Sequence, residues 1–140
     1  MELSRKGKAI APSITLSIDA KAKQMKADGI DVVDFGAGEP DFNTPAHVIE
    51  AAIKAMNEGL TRYTPAAGTD ALRKAICKKL QRDNNVTYEP SQIVVSNGAK
   101  HSLFNVFQAI CNPGDEVILP APYWVSYYEM IRMADAEPVL

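Results

Sequence analysis

The chain has 140 residues, 46% of them hydrophobic and 23% charged, with a formal net charge of −2. That balance suits an ordinary folding chain; it gives no basic footprint for nucleic acid, and no apolar run is long enough to span a bilayer. The basic start, Met1 to Lys8, lacks a following apolar segment, which argues against a signal peptide and makes the cytoplasm the expected location.

A helical pattern runs from about Ser17 to Asp28, with Asp28-Gly29 as its stop signal. Ile30 to Phe35 reads as a short strand. Gly36 to Phe42, with its glycines and Pro40, is a loop with special backbone angles. Thr44-Pro45 supplies a helix N-cap and a proline at the first helical position. That helix is expected to reach Asn57, with Val48, Ala52, Ala55 and Met56 as its inner stripe. Thr61 to Gly68 is a loop. A helix from Thr69 to Arg82 places Leu72, Ala75, Ile76 and Leu80 inward and Arg73, Lys74, Lys78 and Lys79 mostly outward, as a solvated basic face.

Gln92 to Ser96 reads as a strand, followed by the turn Asn97-Gly98-Ala99 and a helix from Lys100 to Cys111. Asn112-Pro113-Gly114-Asp115 is a turn. Glu116–Leu119 is a strand, Pro120-Ala121-Pro122 a rigid exit, Tyr123 to Ala134 a helix, and Glu137–Leu140 a third strand. This β-α-β-α-β order from Gln92 onward predicts a parallel sheet covered by helices. A sheet ending inside its third strand would have a raw edge, so the expectation is a truncated chain with an incomplete core.

Cys77 and Cys111 fall at apolar positions of helical patterns and read as buried reduced thiols. His47 and His101 come without a ligand pattern, so no metal site is expected. Gly98-Ala99-Lys100 carries more chemistry. Unpaired N–H groups of a first helical turn point at a ligand, the helix dipole favours an anion, and small residues leave room for a phosphate. Such turns also occur in α/β domains that bind nothing, so the turn alone leaves both readings open. It lacks the GxGxxG spacing of a nicotinamide-binding domain.

Five segments extend this reading: Gly38-Glu39-Pro40-Asp41-Phe42, Arg62-Tyr63-Thr64-Pro65-Ala66-Ala67-Gly68, Ser96-Asn97-Gly98-Ala99-Lys100, Asn112-Pro113-Gly114-Asp115-Glu116-Val117 and Pro120-Ala121-Pro122-Tyr123-Trp124. In this order and at these separations they resemble the N-terminal part of class I pyridoxal-phosphate aminotransferases, the bacterial aspartate-specific subgroup in particular. The resemblance implies an α/β fold of PLP-transferase type I. Residues 1–45 would form the N-terminal arm and a small-domain segment, and residues 46–140 the incomplete start of the large cofactor-binding domain.

It also implies roles. Gly98, Ala99 and Lys100 would hold the phosphate of pyridoxal 5'-phosphate, Trp124 would stack on its ring, and Tyr63 would reach the cofactor phosphate of a neighbouring subunit in a homodimer. Gly38, Trp124, Thr15 and Lys100 would contact the substrate, with Lys100 and Thr15 recognising the distal carboxylate of an acidic amino acid. Ser13 and Thr15 would lie in a segment that folds over the site. The lysine that bonds the cofactor matches no position of this chain, so no catalytic residue is assigned and the chain alone is expected to be inactive. Relatives that also use prephenate carry a basic residue where this chain has Ala11. The expected partners are a small amino acid and a 2-oxo acid, neither nucleic acid nor membrane. The alternatives are an aminotransferase of aromatic, alanine or kynurenine type, or a non-catalytic split-gene product.

Overall fold

In a computed structural model, described over residues 2–36 and 38–140, local sequence signals set most helix boundaries. Helix α1 spans Arg5–Ala9, where the Ser4 hydroxyl accepts from the Gly7 amide at 3.1 Å. Helix α2, Ile14–Ala27, is capped by Ser13, which accepts from Leu16 N–H. Helix α3, Ala46–Asn57, begins one residue later than expected: Pro45 is its N-cap, and its carbonyl accepts from Val48 and Ile49. Helix α4, Asp70–Asn84, is capped by Thr69 and ends at Asn85, which takes the left-handed conformation (φ 54°) and donates to Leu80. A short 3-10 turn covers Pro90–Gln92. Helix α5 spans Ala99–Ile110, strand β1 Glu116–Ile118, helix α6 Val125–Met133 and strand β2 Glu137–Val139.

The chain divides into two compact units, one made of Met1–Glu39 with Gly98–Leu140, the other of Pro40–Asn97. In the first, β1 and β2 pair in parallel, with Glu116 opposite Glu137 and Ile118 opposite Val139. Backbone bonds from Glu137 to Asp115 and from Leu119 to Val139, both 2.8 Å, continue the ladder past each end. Helix α6 makes the crossover that a parallel pair requires. The core lies beneath it: Leu119, Ile131 (1% exposed) and Ala136, with Phe107, Cys111, Val117, Tyr123, Tyr127 and Tyr128 packed around them.

The second unit rests on α4. Arg73, expected to face outward, is half-buried and donates from Nη1 to the Pro90 carbonyl at 3.2 Å, tying α4 to the 3-10 turn. Ile76 and Leu80 are half-buried as the pattern predicts, whereas Leu72 and Ala75 remain exposed. In α3 the expected inner stripe faces water: Val48, Ala52 and Met56 are exposed, and only Ala55 is half-buried.

Two expected strands are absent. Ile30–Phe35 and Gln92–Ser96 are irregular, apart from Gln92 in the 3-10 turn. Valine- and isoleucine-rich segments become strands only where a second strand satisfies their backbone. Val95 finds a single such bond, its N–H donating to Ala67 O at 3.0 Å. The parallel sheet of the described residues is therefore two-stranded. Cys77 and Cys111 are free thiols but half-buried, short of the full burial expected.

The chain exposes 11623 Å². Among the described residues no helix is long and apolar enough to cross a membrane.

Candidate functional site

The first unit gathers the features that could hold an anion beside a flat ring. Gly98 is the N-cap of α5, at φ 83° and ψ 165°. The positive φ is easily reached only without a side chain. A Cβ at Gly98 would meet nothing within 4 Å, so the space beside this backbone is open. No side chain caps α5. The carbonyl of Gly98 takes up the amides of His101 and Ser102, while the amides of Ala99 and Lys100, in the first helical turn, have no carbonyl of the helix to reach.

Trp124 is held from the other side. It is the N-cap of α6, and its carbonyl accepts from Tyr127 N–H at 2.9 Å. It follows β1 after the Pro120-Ala121-Pro122 exit, in which the Ala121–Pro122 bond is cis. Its neighbours Tyr123, Tyr127 and Tyr128 are built into the core, and Tyr123 stacks on Tyr128 at 6.4 Å between ring centroids. The base of α6 is thus fixed, while Trp124 itself remains 46% exposed. The structure brings two of the expected site residues together: the Lys100 ammonium lies over the Trp124 ring, 5.2 Å from its centroid. An aromatic face attracts a cation electrostatically at this range.

Thr15 is half-buried in the first turn of α2, behind the Ser13 cap. Ala11 and Ser13 line a cavity of about 480 Å³ together with Ile10, Tyr123, Tyr128 and Met130. Gly38 is exposed, and a Cβ there would meet nothing within 4 Å. Tyr63 belongs to the second unit, where its side chain is fully exposed at 107%. The tyrosine support beneath Trp124 and the cation over its ring were not foreseen in the sequence. Tyr123, Tyr127 and Tyr128 looked like ordinary helical residues, and nothing in the spacing of Lys100 and Trp124 announces their contact.

The class I and II aminotransferase family matches residues 30–140. The chain belongs to that family. It is 54% identical over 139 residues to an aspartate aminotransferase of Bacillus subtilis (strain 168), covering 99% of this chain and 35% of the relative. A probable aspartate/prephenate aminotransferase of Aquifex aeolicus (strain VF5) is 56% identical over 130 residues, covering 93% of this chain and 33% of that one. The solved structure of an aspartate aminotransferase from Thermus thermophilus with maleate superposes with a TM-score of 0.95 at 48% identity, covering 99% of this chain and 36% of that one. The fold is therefore that of part of an aspartate-aminotransferase-like α/β protein, and the chain spans about a third of the length of the curated relatives it matches.

Proposed function

We propose that this chain is part of an aminotransferase that moves an amino group between L-aspartate and a 2-oxo acid such as 2-oxoglutarate, with pyridoxal 5'-phosphate as cofactor. The observation that carries the reading is the open turn at Gly98 beside the Lys100–Trp124 pair, in one unit of an aminotransferase fold. A phosphate dianion beside a flat pyridine ring needs uncapped amides, little side-chain bulk, positive charge and an aromatic face. Gly98, Ala99, Lys100 and Trp124 offer these together.

When bound, the cofactor withdraws electrons from the α-carbon of the substrate. The residues of this chain bind and orient. The amides of Ala99 and Lys100 hold the phosphate, with Gly98 leaving room for its approach. Trp124 fixes the plane of the ring. Gly38 lets the main chain come close to the substrate carboxylate, and Thr15 with Lys100 receives the distal carboxylate. Tyr63, standing fully in solvent, is suited to serve the cofactor phosphate of a second subunit with its phenol. In this reading residues 1–45 are the arm and small-domain segment, residues 46–140 begin the cofactor domain, the lysine that bonds the cofactor is not in this chain, and the protein works in the cytoplasm as a homodimer.

The Thermus thermophilus relative was solved with maleate, a short dicarboxylate, which supports an acidic substrate here. The Aquifex aeolicus relative is named for prephenate as well. Ala11 brings no positive charge to the cavity it lines, so prephenate is left out of this reading. The test is an assay of the intact protein carrying this chain, with L-aspartate and 2-oxoglutarate, alongside binding of pyridoxal phosphate and of phosphate-free pyridoxal. Amino transfer is expected, with tight binding only of the phosphorylated form and its loss in Gly98→Val. No transfer from aspartate, or equal binding of both forms, would overturn the reading.

A further inference from the structure

Lys100 is placed against its electrostatic preference. It sits in the first turn of α5, where the helix dipole repels a cation. Like Lys21, Lys26 and Lys78 it forms no ion pair among the described residues, but unlike them it has an aromatic partner. The partner it has is the π face of Trp124, at 5.2 Å. An exposed contact of that kind is weak. A hydrogen bond from an ammonium to a carboxylate is stronger.

We propose that the Trp124 face is the resting place of Lys100, and that an incoming dicarboxylate draws the ammonium off the ring. This rests on the reading above, in which both residues border the substrate. The exchange makes the pair a specificity device with two parts. An acidic side chain replaces a weak contact with a strong one and frees the indole face that the cofactor ring does not cover. An apolar side chain offers nothing in exchange, so the lysine stays on the ring and the substrate must fit beside a cation left unpaired by any anion. Lys100 thus favours acidic substrates by attraction and disfavours apolar ones by remaining in place, and Trp124 sets how firmly it remains.

Crystal structures of the intact, pyridoxal-phosphate-loaded protein with and without maleate test this directly. Without maleate the Lys100 ammonium is expected within about 6 Å of the Trp124 ring centroid. With maleate it is expected at hydrogen-bonding distance from a carboxylate oxygen and away from the ring. Kinetics supply a second readout. Lys100→Met should lower kcat/KM for aspartate by roughly tenfold or more, mainly through KM, and should raise it for an apolar amino donor. The apolar gain should shrink when Trp124→Phe is already present, because the cation is then held less firmly.

A ligand-free crystal with Lys100 off the ring, or a maleate complex with Lys100 still on it, would overturn the inference while leaving aminotransfer intact. Additive effects of the two substitutions on the apolar donor would overturn it as well. Failure of the intact protein to take up pyridoxal phosphate would instead overturn the functional reading on which it rests.

Discussion

A Cβ added to Gly68 would lie 2.6 Å from Val95 Cγ2 and 2.8 Å from Val95 Cβ. The two segments touch here because Ala67 O accepts from Val95 N–H at 3.0 Å, which draws the backbones together. Gly68 also holds φ at 98°, where a side chain is strained. Gly68→Ala should therefore destabilise the second unit by roughly 2–4 kcal/mol, from overpacking and strain together. Gly59 is the control: its φ is 80°, but a Cβ there would meet nothing within 4 Å. Gly59→Ala should cost only about 1 kcal/mol. Urea unfolding followed by circular dichroism compares the two, and equal midpoints would show that the Val95 contact does not matter.

The Gly68–Val95 contact also shows where sequence reasoning stops. The helices were legible because their signals are local. Thr69 before Asp70 marks the start of α4, although the helix runs past the expected stop at Arg82 to Asn84, and apolar spacing marks α3 and α5. Helix α1 was missed because it has no apolar periodicity, leaving only the cap at Ser4 as a signal. Ile30–Phe35 and Gln92–Ser96 have strand composition, yet strand formation depends on a neighbour that composition does not specify. The same limit applied to the site. Gly98 could be recognised from its turn, but the seat of Lys100 on Trp124 joins side chains from two different helix starts, and only folding places them together.

Lys6 Nζ lies 2.7 Å from Asp135 Oδ2 and 3.1 Å from the carbonyl of Met133, so it caps the C-terminal end of α6 from the far end of the chain. Arg132 Nη1 returns the contact by donating to Ala9 O at 3.3 Å. Helix α1 buries none of its own residues, so these charged contacts are what attach it. The Lys6–Asp135 pair is about half exposed, which limits its worth to about 1 kcal/mol at low salt, with screening reducing it further. Trypsin cleavage at Arg5–Lys8 should accelerate several-fold when salt is raised from about 0.05 to 0.5 M, the range over which such pairs are screened. Lys6→Met should cleave at the faster rate already at low salt. If salt leaves the rate unchanged, α1 is held by something other than these charges.

Acid should loosen the start of α4. The Lys74 ammonium, 2.6 Å from Asp70 and hydrogen-bonded to it, holds the Asp70 carboxyl below the ordinary aspartate value, and the nearby Arg73 charge acts in the same direction. Asp70 also stands in the first turn of α4, where a negative charge is favoured. A carboxyl with a depressed folded-state value adds stability that is present above the unfolded value, about 3.9, and is lost as pH falls through the folded one. NMR titration should find the Asp70 midpoint below about 3.9, and Lys74→Met should raise it. Asp70→Asn should remove this contribution to acid sensitivity at the start of the helix. An Asp70 midpoint unmoved by Lys74→Met would refute the assignment.

Ile49, Ile53 and Met56 recur along α3 at the spacing of one helical face, and all three are exposed, as is Val48 beside them. Phe42, Leu60 and Tyr63 in the same unit are exposed too. A contiguous apolar face of this kind is a surface that gains by being covered. In the 140-residue chain, a second copy is the cover at hand. Sedimentation velocity should show association that grows with concentration. Ile53→Lys, which puts a charge in the middle of the face without touching Gly98, Lys100 or Trp124, should weaken that association by about tenfold, since each half-covered isoleucine contributes about 1 kcal/mol. Lys54→Ala, a change beside the face rather than in it, should leave association unchanged. If both variants associate like the parent chain, the contact lies elsewhere; if the parent chain is monomeric at every concentration, the α3 face tolerates water by itself.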